Sequence, residues 1–307
     1  PTYPKEEIER ELGKTLAALQ SAEDDPGFVA EREFRQNLFL KSPYGHPVIG
    51  TRKSLGEIRR QDLWEFYQRY YHPNNSILAV VGDVSLDELK TKLFPALERW
   101  PMAKVRQIPY ESQWAKGPQT IKVQRAVTQA NIILGHGGIS RENPDFYAIT
   151  VMNYILGGGG FSSRLVEEIR NKRGLAYSVE SFFEANKYPG SFQIILQTKN
   201  ASAQEAISLA LNEMGRMQKE TVSEKELEGA KKYLIGSFPM RIDTQAKRVQ
   251  FLTQVEYYSL GLDYPQKYRG LIQAVTRAEV QRVAQTYLHP EDCLRTIVGD
   301  LKEAGME

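Results

Sequence analysis

Two stretches of this chain are versions of one another, and that repetition restricts the fold more than any other feature. Residues 58–83, ending YQRYYHPNNSILAVVGD, align without a gap with residues 275–300, ending AQTYLHPEDCLRTIVGD, at an offset of 217. Eight of the 26 positions are identical: Arg60, Gln68, Tyr70, His72, Pro73, Val81, Gly82 and Asp83 recur as Arg277, Gln285, Tyr287, His289, Pro290, Val298, Gly299 and Asp300. Ordinary amino-acid frequencies would give roughly one or two. Each copy reads as an amphipathic helix, a Tyr-x-His-Pro turn, then an apolar strand ending in Gly-Asp. An earlier pair, KEEIERELGKTLAALQ and EKELEGAKKYLIGSF, begins alike at nearly the same offset. Repetition at this scale marks a duplicated lobe.

The second lobe reads as strands at 119–127 and 129–134, a helix at 143–156, and a glycine loop followed by a charged helix. An antiparallel pair follows at 175–185 and 191–198, bounded by Pro189-Gly190. Helices are expected at 202–219, 223–237, 243–260 and 277–287, with a last strand at 294–298. Strands and helices do not alternate as in a doubly wound sheet, so the expectation is α+β, an antiparallel sheet covered on one side by helices. Subtracting the offset places most of the first lobe's matching block upstream of Pro1. The first lobe is therefore expected to be truncated, the natural protein being longer by something like 100 residues. The expected division is 1–102 for the rest of the first lobe, 103–117 for a linker and 118–307 for the second lobe.

Composition narrows the function. A net charge of +2 over 307 residues gives no basic face on which counter-ion release could drive nucleic-acid binding. No apolar run approaches the roughly 18 residues of a membrane span. The single cysteine, Cys293, leaves the compartment open, bacterial cytoplasm or periplasm alike. The run Gly157-Gly158-Gly159-Gly160-Phe161-Ser162-Ser163 invites a phosphate-loop reading, which fails on specifics. No Gly-Lys-Ser/Thr follows, and the run joins helix to helix. It reads instead as a turn that lets the backbone pass close to a neighbour.

Several segments, taken in order, resemble the pitrilysin and mitochondrial processing-peptidase family of zinc metallopeptidases. They are Ile8-Glu9-Arg10-Glu11, Asp24-Asp25-Pro26, Ser42-Pro43-Tyr44-Gly45 leading to Gly50-Thr51, and Tyr70 to Asn75 before Val80-Val81-Gly82-Asp83. In the second lobe they are Gly157 to Arg164, then Arg170 through Arg173-Gly174-Leu175-Ala176-Tyr177-Ser178. The likeness covers nearly the whole chain and matches the inactive-domain portion of a bacterial-type member. It implies duplicated lobes, each a mainly antiparallel sheet covered by helices, facing one another as a clamshell around an unfolded peptide. Active members carry His-x-x-Glu-His, two zinc ligands and a base, with a third ligand glutamate on a later helix. Here the four histidines, His46, His72, His136 and His289, are isolated, and His72 and His289 read as structural turn residues. Glu11 matches the glutamate that supports the site, while the third-ligand position is Ala18, whose methyl group cannot bind zinc.

The resemblance also implies an arginine and a tyrosine, seven apart, that hold substrate backbone and stabilise an oxyanion from the lobe opposite the zinc. Arg170 and Tyr177 have that spacing. Further substrate-facing residues are expected at Gln129, Ala130, Asn131 and Ile132, as a strand edge open to peptide addition, and at Gly158, Gly159 and Phe161. No cofactor is expected in this chain; zinc would lie in a partner or in an upstream segment. Three functions stay open. The chain is a non-catalytic subunit supplying the Arg-Tyr pair to a zinc-bearing homologue or to a second copy of itself, a structural scaffold, or a fragment of a self-sufficient peptidase.

Overall fold

The structure is a computed structural model describing residues 1–106, 110 and 113–307. Gln107, Ile108, Pro109, Glu111 and Ser112, inside the segment read as a linker, lie outside the described residues. In chain order the elements begin with α1 (Lys5–Glu23), α2 (Pro26–Leu38), α3 (Arg52–Glu57), α4 (Arg60–Tyr70), α5 (Leu86–Lys92) and α6 (Phe94–Leu97). Then come β1 (Gln119–Gln124), β2 (Gln129–Gly137), α7 (Phe146–Asn153), β3 (Ala176–Ala185) and β4 (Pro189–Lys199). The chain closes with α8 (Ala203–Lys219), α9 (Glu224–Ser237), α10 (Gln245–Tyr257), α11 (Tyr264–Gln273), α12 (Arg277–Tyr287) and β5 (Leu294–Gly299). Helix α11 has no counterpart in the sequence reading. Packing groups the chain into a first unit, Pro1–Leu19, Ile49–Pro109 and Gly236–Lys267, and a second holding the remainder.

The second unit is built on one five-stranded sheet in the order β1-β5-β2-β4-β3. Only β1 and β5 run parallel; every other neighbouring pair is antiparallel. Ile132 pairs with Ile297 on one side and Leu196 on the other, so these three share a face with Leu134 and Ile194. The alternate residues Ile133, Leu294 and Val298 face Val29, Ala30, Phe34 and Leu38 of α2. Both faces are therefore buried, which is why Ile132, Ile133 and Leu134 at the centre of β2 run apolar without alternating. Helix α12 packs on α7 and α8, which in turn pack against β3 and against β2 and β4. Helix coverage is thus not confined to one side as expected, because α2 covers the second face. Its start is fixed locally: Asp25 accepts from Gly27 N–H at 2.9 Å, and Pro26 takes the first helical position, where no donor is needed.

In the first unit the repeat is only half realised. Helix α4 and the 3₁₀ turn Pro73–Asn75 stand 217 residues before α12 and the 3₁₀ turn Pro290–Asp292. The segment expected as a strand before Gly82-Asp83 forms no ladder, although its counterpart is β5. Among the described residues no strand lies beside it, and a strand without a neighbour has no hydrogen bonds to form. Leu78 is accordingly 62% exposed, whereas its counterpart Arg295 stands in an interior strand. Helix α4 buries no residue, while α12 buries Val280, Val283 and Ala284, the counterparts of Leu63, Phe66 and Tyr67.

Candidate functional site

The residues from α7 to β3 form a continuous device. Ala148, Ile149, Val151 and Met152 anchor α7, which widens into a π-helical turn, Tyr154–Gly158. Here Gly157 passes so close to β3 that a Cβ would stand 2.4 Å from Ser181 Oγ and 2.7 Å from Ser181 N. The quadruple glycine is thus a close-approach turn, as the sequence suggested. After the 3₁₀ turn Gly160–Ser162 the chain enters a second helical stretch, π-helical over Val166–Asn171, with Leu165, Val166 and Ile169 buried. π-Helical turns recur at functional sites because they re-aim the side chains that follow.

Two features then bring Arg170 and Tyr177 together. Gly174 adopts φ +63°, a left-handed conformation that favours glycine, and closes the helix. Its N–H donates to Arg170 O at 2.9 Å, and Leu175 N–H to Ile169 O at 3.0 Å. Next, the β3–β4 register slips between Ala176 and Ser178, which leaves Tyr177 unpaired in a bulge. Bulges at sheet edges re-aim side chains, and Tyr177 is turned out to 77% exposure.

The Arg170 guanidinium carbon lies 4.7 Å from the ring centre of Phe161 and 5.7 Å from that of Tyr177. Phe161 is itself 74% exposed. Such stacking contributes about 0.5–1 kcal/mol per pair at exposed sites, enough to orient the guanidinium without using its N–H donors. Among the described residues neither the Arg170 side chain nor the Tyr177 hydroxyl has a hydrogen-bond partner. The arrangement therefore presents a set of unused donors, framed by aromatic rings, to a carbonyl or oxyanion.

One anchor of this device was not legible in the sequence. Arg164 forms a forked pair with Glu226 of α9, Nε to Oε1 at 2.6 Å and Nη2 to Oε2 at 3.1 Å. Glu226 also accepts from the Ser223 N–H and hydroxyl, each at 2.7 Å. Partial burial pushes the Glu226 carboxyl up, but the Arg164 and Ser223 donors outweigh it and hold it at about 2. The only sequence signal was Ser223-x-x-Glu226, which reads as a helix cap.

The expected binding strand needs correction. Strand β2 is bonded to β4 along its length and to β5 from Asn131 to Gly135, so it offers no free edge for peptide addition. Ala130 and Ile132 are fully buried, and Gln129 and Asn131 lie away from the Arg170 cluster in the sheet order. Gly158 and Gly159 lie in the turn itself, against Asn153 and Tyr154.

The residues at the expected zinc positions do not fit a metal. Ala18 is an exposed methyl group, and Glu11 pairs with Lys14 at 2.9 Å. Among the described residues no group of three or more His, Cys, Asp or Glu side chains is placed to hold an ion. His72 lies 2.7 Å from Gln68 O and 3.0 Å from Pro101 O. His136 and His289 line an open cavity of about 830 Å³ with Trp114, Phe183 and Tyr287. His136 Nδ1 donates to Gly137 O at 2.8 Å, and its Nε2 accepts from His289 N–H at 3.1 Å. Burial pushes this imidazole down to about 4, with His289 adding to the effect against the Gly137 carbonyl. No helix is long and apolar enough to cross a membrane among the described residues.

The family profile described as the peptidase M16 inactive domain matches residues 57–234, more than half of the chain. A Helicobacter pylori protein named non-peptidase homolog YmxG is 28% identical over 303 residues, covering 99% of this chain and 70% of that protein. An uncharacterized zinc protease of Streptomyces coelicolor is 26% identical over 309 residues, 97% of this chain and 66% of its own length. This chain thus spans about two thirds of those relatives. The crystal structure of a peptidase M16 inactive domain from Pseudomonas fluorescens superposes with a TM-score of 0.89 at 29% identity, over 97% of this chain and 71% of that one.

Proposed function

This chain belongs to the peptidase M16 inactive-domain family, and we propose that it is a non-catalytic subunit that holds an extended peptide for a zinc-bearing homologue. The observation that carries this reading is the cluster of Phe161, Arg170 and Tyr177. Two aromatic rings more than 70% exposed flank a guanidinium whose donors are unused. Exposing such a cluster has no packing benefit, since burying each ring would contribute about 2 kcal/mol or more. Arg170 and the Tyr177 hydroxyl would donate to the carbonyl of an extended peptide and strengthen as that oxygen gains charge. This chain contributes binding and orientation; the metal and the base would come from the homologous subunit. Ala18 at the third-ligand position and the non-peptidase name of the Helicobacter relative both favour that division.

The test is zinc content and peptidase activity of the full chain, alone and mixed with a homologue carrying His-x-x-Glu-His. Activity only in the mixture, reduced about 100-fold by Arg170→Ala and less by Tyr177→Phe, is expected, in line with the loss of one oxyanion donor. Zinc and activity in the lone chain would overturn the reading. A mixture indifferent to both substitutions would instead favour a scaffold.

A further inference from the structure

Next to the turn that carries Phe161 lies a groove of about 550 Å³, walled by Tyr154, Ile155 and Ser162 on one side and by α9 on the other. We propose that this groove is an acid-selective subsite, receiving an aspartate or glutamate side chain of the same peptide whose backbone Arg170 and Tyr177 hold. The proposal rests on the peptide-holding reading above.

Proximity is set by the chain. Ser162 lines the groove and is bonded to Phe161, so the two Cα atoms are about 3.8 Å apart. An extended peptide advances about 3.3 Å per residue, which places the groove within two or three residues of the carbonyl held by Arg170.

Charge selects the occupant. Four charged α9 side chains line the groove: Lys225, Glu226, Glu228 and Lys232. Glu226 is neutralised by Arg164 at 2.6 Å, and Glu228 lies 3.4 Å from Lys231. Glu226 is also tied to the Ser223 N–H and hydroxyl, so it cannot swing across to quench a lysine. Lys225 and Lys232 are exposed and have no ion-pair partner among the described residues. With Arg164 and Lys231 offsetting the two carboxylates from outside the lining, Lys225 and Lys232 leave the surroundings of the groove net positive, facing a space open to a carboxylate. The Tyr154 ring, held against Tyr233 at 4.9 Å, gives the methylene groups of a glutamate a flat wall to lie on. Gly229 leaves the floor open, since a Cβ there would meet nothing within 4 Å.

The experiment uses the full chain and three fluorescent peptides of one length and sequence, differing only in carrying a Glu pair, a Gln pair or a Lys pair. Anisotropy titrations at about 50 mM salt should rank them Glu, Gln, Lys, with steps of about three- to ten-fold for two exposed lysines. The double substitution Lys225→Glu with Lys232→Glu should reverse the ranking. Gly229→Phe, which fills the groove from an exposed helical position, should bring the Glu peptide down to the level of the Gln peptide. Arg170→Ala should weaken all three alike. Equal binding of the three peptides, with all of them lost in Arg170→Ala, would overturn the subsite and leave the peptide-holding reading intact. Absence of binding by every peptide would overturn both. A ranking that survives the charge reversal would also sink the proposal.

Discussion

Replacing Gly157 by alanine tests whether the glycine turn is seated on β3. The new methyl group would stand 2.4 Å from Ser181 Oγ and 2.7 Å from both Ser181 N and Leu165 Cδ1, against an ordinary contact of about 3.5–4 Å. None of these neighbours moves freely. Ser181 Oγ donates to Asn153 Oδ1 at 2.8 Å, Ser181 N belongs to a strand paired with β4, and Leu165 is fully buried. Overpacking of this kind costs about 1–3 kcal/mol, and displacing the Ser181–Asn153 bond adds about 1 kcal/mol. Against this, alanine regains up to about 1 kcal/mol of helix propensity. The net expectation is a destabilisation of about 1–3 kcal/mol, read as a fall of about 0.3–1.5 M in the urea midpoint at an m-value of about 2–3 kcal/mol/M. Gly229→Ala is the matched control: its methyl group meets nothing within 4 Å, so it should stabilise by about 0.5–1 kcal/mol. Because Ser181 lies in the strand that carries Tyr177, Gly157→Ala should also weaken peptide binding. A midpoint unchanged or raised in Gly157→Ala would refute the close approach of turn and strand.

Three further expectations come from the same geometry. His136 is held neutral at about 4 against an ordinary 6.5, so below 6.5 the unfolded chain takes up a proton that the folded chain refuses. Stability should therefore fall by about 2 kcal/mol between pH 7 and pH 5, and urea midpoints at the two pH values should converge in His136→Gln. The Arg164 side chain is 14% exposed, so Glu226→Leu leaves a largely buried charge unpaired. A double-mutant cycle with Arg164→Leu should give a coupling of about 1–3 kcal/mol, and a coupling near zero would remove the pair from the structural account. Cys293 is fully buried with its thiol pushed up to about 12 by burial, and alkylation followed by mass spectrometry should modify it only in denaturant.

The proximity of Phe161, Arg170 and Tyr177 was legible because the three are local in sequence. The spacing of Arg170 and Tyr177, the glycine loop and Phe161 all follow one another within a few turns of chain, and the structure places them together. Gln129 to Ile132 misled because alternating polar and apolar residues are equally the mark of an edge strand facing a ligand and of a strand paired on both sides. The Arg164–Glu226 clamp joins residues 62 apart, so no local pattern announces it.

The repeated segment separates what the sequence determines from what the fold decides. Residues 60–75 and 277–292 make the same helix and the same turn, because capping, helix periodicity and the conformations allowed to proline are properties of the segment itself. Residues 77–82 are the more apolar of the two segments, since 294–299 includes Arg295 and Thr296, yet only the second forms a strand, between β1 and β2. Tertiary structure also decided that α2 covers the second sheet face and that Tyr177 stands out in a bulge. The physical reason is that a helix closes its hydrogen bonds within one segment, whereas a strand's hydrogen bonds belong to the pair, and the partner is chosen elsewhere in the chain.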